Sequence, residues 1–143
     1  MKRNLKIVWL ILLMCMPFSA FAVERENSSG STVDWEPVME AIIQVESEGN
    51  PNARSGKSCG AMQITPILVK ECNLILKRKN SKKRYTLRDR FSVKKSKEMF
   101  LLIQAVFNPA NNVEHAIRSW NGGQRYSKKR TQRYFDKVMR QMK

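Results

Sequence analysis

The segment from Glu46 to Pro66 constrains the fold of this chain most strongly, because it joins two amphipathic patterns through a polar loop. The first pattern ends at the carboxylate of Glu46, and a loop rich in Asn, Pro, Gly and Ser follows. Gln63 then precedes Pro66, a residue type that is well tolerated in the first turn of a helix. This layout predicts one acid at the end of a helix, facing a cleft that is lined with hydrogen-bond donors and acceptors.

Apolar residues recur at the spacing of an α-helix in five segments of the chain. The residues predicted to cap these helices are, in chain order, Asp34, Thr65, Ser92, Asn111 or Asn112, and Thr131. No segment has a convincing alternating strand pattern, although a short irregular hairpin fits between Asn50 and Gln63. The sequence therefore predicts a mainly α fold: a single compact domain of about five helices, with an irregular loop or short hairpin after the first.

The N-terminus has the parts of a secretory signal peptide. A basic start precedes the apolar run 7–16, and a small-x-small cleavage pattern ends at Ala22. An uncleaved membrane anchor is the alternative, but the run is short for a bilayer span of about 20 residues. We expect export to the periplasm or secretion, with no transmembrane segment after signal removal. The predicted divisions are a signal peptide at 1–22, a flexible lead-in at 23–33 and the folded domain at 34–143.

The formal net charge is +15, which predicts attraction to polyanions. For an exported protein these are wall peptides, anionic wall polymers and lipopolysaccharide phosphates rather than nucleic acid. The basic tract 77–84 raises the alternative of a nucleic-acid or membrane binder, but such runs are usually solvated faces. We therefore expect no specific nucleic-acid partner, and we expect a monomer.

Two cysteines, Cys59 and Cys72, fall in the predicted folded domain. An oxidising compartment would allow them to pair, and closing so short a loop would stabilise the fold by about 3 kcal/mol. Two buried thiols are the alternative. Neither the cysteine spacing nor the single His115 indicates a metal site, and no cofactor is expected.

Glu46 lies beside the buried stripe of the first predicted helix, in its last turn. Partial burial and the negative end of the helix dipole both disfavour the carboxylate, so the pKa of Glu46 is expected to be raised, as a general acid requires. From position alone, a boundary residue with its tip in water is the alternative. Together with the polar loop, the acid makes a saccharide-cleaving site the leading hypothesis.

Two blocks of sequence, 46–66 and 116–123, resemble the soluble lytic transglycosylase (SLT) family, whose domain is lysozyme-like and helical. The resemblance covers roughly residues 35–138. It implies the following site residues: Glu46 as the catalytic acid, Ser55 and Gln63 as substrate contacts, and Trp120-Asn121 at the family's Tyr-Asn pair. Trp120 departs from the family, because tryptophan offers stacking and an N–H donor but no hydroxyl near the acid. A Cys59–Cys72 bridge would brace the loop that carries Gln63.

The resemblance implies cleavage of the β-1,4 bond between N-acetylmuramic acid and N-acetylglucosamine in peptidoglycan. One carboxylic acid acts as acid and then as base, and a 1,6-anhydro ring forms. Hydrolysis instead needs two carboxylates, for which Glu48 and Asp89 are the nearest further candidates. A hydrolytic muramidase and a non-catalytic peptidoglycan-binding protein are the alternatives. The small size also suggests local opening of the wall for a secretion, conjugation or phage machine.

Overall fold

The structure is a computed structural model in which residues 33–142 are described. The helices of this part are α1 (Glu36–Ser47), α2 (Pro66–Arg78), α3 (Val93–Phe107), α4 (Val113–Gly122) and α5 (Lys128–Gln141). A 3-10 turn spans Leu87–Phe91, and strands β1 (Arg54–Ser55) and β2 (Ser58–Cys59) form a short antiparallel hairpin after α1. The predicted mainly α fold, with five helices and a hairpin after the first, is confirmed.

Local capping begins three of the helices where the sequence places them. The side chains of Thr65, Ser92 and Asn112 each accept a hydrogen bond from a backbone N–H in the first turn of α2, α3 and α4. Two predicted caps are wrong. Asp34 lies one residue too early, although its Oδ1 accepts a hydrogen bond from the N–H of Glu36 at 3.0 Å. Helix α5 is capped by Ser127 instead of Thr131, which is buried inside the helix.

The core forms around α1 and α3. Ile42 and Phe100 are fully buried, and the rings of Trp35 and Trp120 pack against Phe100 with centroid distances of 5.8 and 5.2 Å. Full burial of a side chain of this size stabilises a fold by about 1.5–3 kcal/mol. The aromatic cluster therefore fixes the end of α4, where Trp120 and Asn121 lie, against the centre of the domain.

Gly60 anchors the loop between the hairpin and α2. Its φ of +81° lies in the left-handed region, and a Cβ there would stand 1.8 Å from the carbonyl oxygen of Arg90. The guanidinium of Arg90 in turn donates hydrogen bonds to the carbonyl oxygens of Lys57 and Ile64. This close approach holds the loop that carries Gln63 against the 3-10 turn, a position that only glycine permits without displacement.

The predicted disulfide is absent from the described residues, where Cys59 and Cys72 are both buried free thiols. Cys72 faces α3, with its Sγ 3.9 Å from the carbonyl oxygen of Met99, whereas Cys59 belongs to β2 and its backbone pairs with Ile64. Burial raises the pKa of the Cys72 thiol to about 12.

The predicted signal peptide at 1–22 lies outside the described residues, as does almost all of the predicted lead-in at 23–33. Within the described part of the chain, no helix combines the length and apolar character needed to cross a bilayer.

Candidate active site

Glu46 occupies the last turn of α1, where the chain is about to leave the helix. Ser47 ties this turn to the following loop, because its Oγ donates a hydrogen bond to the carbonyl oxygen of Ala61 at 2.8 Å. Glu48 then adopts a left-handed conformation with φ 53° and ends the helix. Glu46 is therefore half-buried at the point where the chain turns from α1 into the loop that leads to α2.

The hydroxyl of Tyr134 in α5 donates a hydrogen bond to Oε1 of Glu46 at 2.7 Å. Burial raises the pKa of Glu46 above its ordinary value, and the hydrogen bond from Tyr134 partly opposes this rise. Burial also raises the pKa of Tyr134, as does the neighbouring Glu46, so that the phenol keeps its proton and remains a donor. The pair therefore combines a carboxyl group that retains its proton to higher pH with a donor that can stabilise the carboxylate once the proton has left.

A cavity of about 250 Å³ opens beside Glu46. Its lining consists of Glu46, Ser55, Ser58, Gln63, Ile64, Thr65, Leu68, Trp120 and Asn121. The structure thus brings together, around one cavity, all five residues that the sequence assigns to catalysis or substrate binding. They come from α1, β1, the loop before α2, and the C-terminal end of α4.

A family model described as "Transglycosylase SLT domain" matches residues 23–142. The chain belongs to this family. Membership supports a peptidoglycan-acting activity of the lytic transglycosylase type, and it accords with the lysozyme-like helical fold. Comparison with curated proteins and with solved structures gave no significant match.

In this SLT domain Trp120 forms a fixed part of the cavity lining. Its indole Nε1 donates a hydrogen bond to the carbonyl oxygen of Met62 at 3.2 Å, and its ring packs on Phe100. The N–H is therefore committed to the loop before α2 and does not support Glu46. The sequence analysis predicted that Trp120 would line the cleft and would place no hydroxyl near the acid, and Trp120 does line the cavity. It did not predict that the hydroxyl in contact with Glu46 would come from Tyr134.

Gln63 adopts a left-handed backbone conformation with φ 52°, which is uncommon for a residue other than glycine. Its Nε2 donates a hydrogen bond to the carbonyl oxygen of Gly60 at 2.9 Å. The adjacent Met62 carbonyl is held by Trp120. The amide side chain is thus held by its own loop, and Trp120 of α4 holds the backbone of that loop next to it.

Arg118 positions the helix that carries Tyr134. This buried guanidinium donates hydrogen bonds to the carbonyl oxygen of Lys128 at 3.1 Å, to Oγ1 of Thr131 at 3.2 Å and to Oε1 of Gln132 at 2.8 Å. It also lies over the ring of Phe135, 4.4 Å from its centroid. Because these contacts join α4 to the first two turns of α5, they fix the side from which Tyr134 approaches Glu46. The sequence analysis missed this role, because helical spacing puts Arg118 beside Glu114, away from the apolar stripe of α4, and gives no sign that it is buried against α5.

The two further carboxylates considered for hydrolysis lie apart from the cavity. Glu48 is exposed beyond the end of α1. Asp89 belongs to the 3-10 turn, where it accepts hydrogen bonds from Lys95 Nζ at 2.8 Å and from the N–H of Thr86 at 2.7 Å. These two contacts lower the pKa of Asp89. Glu46 is the one acidic residue in the lining of the 250 Å³ cavity.

Proposed function

We propose that this SLT-domain protein is a peptidoglycan lytic transglycosylase that cleaves between N-acetylmuramic acid and N-acetylglucosamine and leaves a 1,6-anhydro-muramyl end. Glu46 serves first as acid and then as base. The observation that carries the proposal is a single half-buried carboxyl group with a raised pKa, in contact with Tyr134 and with no second acid in the lining of its cavity.

In the first step the proton of Glu46 passes to the glycosidic oxygen as the bond between this oxygen and the anomeric carbon breaks. The N-acetyl group of the muramic acid residue stabilises the positive charge that develops at the anomeric carbon. Glu46 is now a carboxylate, and the hydrogen bond from Tyr134 at 2.7 Å stabilises it. The carboxylate then removes the proton of the 6-hydroxyl group, whose oxygen closes on the anomeric carbon. Glu46 ends protonated, and no water is consumed.

Hydrolysis is the competing reaction, and its two established geometries require a second carboxylate at a defined distance from the first. The positions of Glu48 and Asp89 offer none beside Glu46. We further propose that residues 1–22 direct export, since peptidoglycan lies outside the cytoplasmic membrane.

The test is digestion of purified sacculi by the protein lacking residues 1–22, followed by mass spectrometry of the released muropeptides. We expect anhydro ends from the parent protein and a loss of activity of at least about 100-fold in Glu46→Gln, because general acid–base catalysis contributes about 10²–10⁴ in rate. Glu48→Gln, two residues further on and exposed, is the matched control and should retain activity.

Each alternative gives a different result in this experiment. Reducing ends that carry an additional water would show a hydrolytic muramidase. Binding to sacculi without any released product would show a peptidoglycan-binding protein. Equal activity of Glu46→Gln and its parent would remove Glu46 from the mechanism.

A further inference from the structure

A second cavity, of about 450 Å³, adjoins Glu46 on the side of α5. Its lining consists of Val45, Glu46, Asn121, Arg130, Arg133, Tyr134 and Lys137. Because Glu46 and Asn121 also line the 250 Å³ cavity, the two spaces meet at the proposed catalytic acid. A ligand whose reacting bond lies at Glu46 can therefore extend along α5.

The α5 cavity is strongly basic. Arg130, Arg133 and Lys137 follow one another at spacings of three and four residues, which places them on one face of α5 together with Tyr134. All three are exposed, and none forms an ion pair with another residue of the described range 33–142. Glu46 is the one carboxyl group in the lining. When Glu46 is protonated, as the first step of the reaction requires, the lining carries three positive charges and no negative one.

The three adjoining cavities together form a groove, and the cavity farthest from α5 is mainly apolar instead of basic. An apolar cavity of about 530 Å³ shares Thr65, Leu68 and Trp120 with the 250 Å³ cavity, and its lining includes Ile67 and Phe107. The space beside Glu46 is therefore basic along α5, whereas the cavity reached past Thr65, Leu68 and Trp120 is mainly apolar and its one charged residue is the acid Glu71. A ligand that matches the groove carries negative charge on one side of the bond that reacts.

The sugar rings of peptidoglycan do not supply this charge. N-acetylglucosamine is neutral, and the lactyl carboxyl group of muramic acid is consumed in the amide bond to the stem peptide. The stem peptide itself carries free carboxylates and projects from the muramic acid residue. Arginine side chains bind carboxylates through two parallel hydrogen bonds, and lysine adds a mobile point charge.

We infer that Arg130, Arg133 and Lys137 form a subsite for the carboxylates of the stem peptide on the muramic acid residue that reacts at Glu46. This inference rests on the proposed function, since it takes the substrate to be peptidoglycan. The subsite makes the protein select glycan strands that carry stem peptides over strands from which an amidase has removed them. It also orients the strand, because the charged substituent lies on the α5 side of the bond that is cleaved.

The experiment compares two substrates: sacculi freed of other anionic polymers, and glycan strands stripped of their stem peptides by an amidase. The test variant combines Arg130→Gln, Arg133→Gln and Lys137→Gln. The matched control removes three exposed cations that do not line the cavity, through Arg125→Gln, Lys129→Gln and Arg140→Gln. The quantity measured is the ratio of kcat/KM on intact substrate to kcat/KM on stripped strands.

For the parent protein we expect this ratio to exceed one and to fall with added salt, since exposed charges are screened. The test variant should lower the ratio about tenfold, as expected for the loss of three modest exposed ion pairs. The control variant should leave it unchanged. Because the ratio is taken within one protein sample, a partly unfolded fraction cancels. Equal ratios in parent and test variant, or an equal fall in the control, would overturn the subsite.

A binding measurement separates failure of the subsite from failure of the proposed function. Co-sedimentation of Glu46→Gln with both substrates reports binding without turnover, and the three test substitutions are added to this background. Preferential binding of intact substrate that disappears in the test variant supports the subsite even if the parent releases no anhydro product. Equal binding of both substrates by Glu46→Gln refutes the subsite and leaves the reaction at Glu46 to be judged by its products.

Discussion

Replacement of Tyr134 by phenylalanine removes one hydroxyl group from the proposed catalytic pair and leaves the ring. The hydrogen bond that is lost spans 2.7 Å to Oε1 of Glu46, a length typical of a hydroxyl bound to a carboxylate. A hydrogen bond to a charged group contributes about 1.5–3 kcal/mol, and about 1.4 kcal/mol corresponds to a factor of ten in rate. Because the carboxylate forms during bond cleavage, we expect kcat to fall about 10- to 150-fold.

The same substitution should move the pH dependence of the reaction. The hydrogen bond from Tyr134 lowers the pKa of Glu46, so its removal raises that pKa further. The protonated acid then persists to higher pH. We therefore expect the alkaline limb of the pH–rate profile to move to higher pH in Tyr134→Phe, while the maximal rate falls.

The assay is release of anhydro-muropeptides from sacculi at saturating substrate across a range of pH. Tyr126→Phe is the matched control, since Tyr126 packs against His115 with a centroid distance of 5.5 Å and is not part of either cavity that Glu46 lines. A Tyr134→Phe variant with an unchanged rate and an unmoved alkaline limb would refute the assignment of the hydroxyl to carboxylate stabilisation. A similar loss in Tyr126→Phe would show a general structural effect.

Three further predictions concern stability and the thiols. The pKa of Glu46 is raised in the folded state, so its contribution to the free energy of unfolding is complete below about pH 4 and is lost as pH rises through the folded-state pKa. Glu46→Gln should therefore melt at a higher temperature than its parent at neutral pH, with little difference below pH 4. A difference in melting temperature that does not depend on pH would contradict this. Gly60→Ala should lower the free energy of unfolding by about 2–4 kcal/mol, because its Cβ would stand 1.8 Å from the carbonyl oxygen of Arg90; denaturant titration measures this, and an unchanged midpoint would show that the loop yields. Cys59 and Cys72 should react with a thiol reagent only after denaturation, and a protein that remains unreactive when unfolded without reductant would contain the bridge.

Much of the fold was predictable because its signals are local. Thr65, Ser92 and Asn112 cap their helices through contacts within the next three residues, which a single sequence reveals. Thr131 resembles such a cap, but its hydroxyl accepts a hydrogen bond from Arg118 on another helix and the residue is buried. Ser127 caps α5 in its place. Sequence alone cannot distinguish these hydroxyls, since the difference arises from how α4 packs on α5.

The residues that line the candidate site were predictable from the sequence, but the contact that supports the acid was not. The acid at the end of α1 and the residues that line its cavity follow from two short blocks of sequence and their resemblance to a family. The Cys59–Cys72 bridge was expected because an oxidising compartment allows two cysteines to pair, but a sequence does not show whether the two thiols meet in the fold, and here both are buried and free. The contact between Tyr134 and Glu46 joins residues 88 positions apart, and no local pattern encodes it.

Trp120 and Tyr134 contribute different things to the candidate site. A tryptophan at position 120 provides an aromatic lining, and its N–H binds the carbonyl oxygen of Met62, which fixes the loop before α2. The acid would then lack a hydroxyl partner from α4, but α5 supplies one, because Arg118 holds the first turns of α5 against α4. Trp120 thus fixes the loop before α2, and Tyr134 donates the hydrogen bond to the acid. A tryptophan at position 120 is consequently compatible with the proposed role of Glu46, because the hydroxyl that contacts the acid comes from α5.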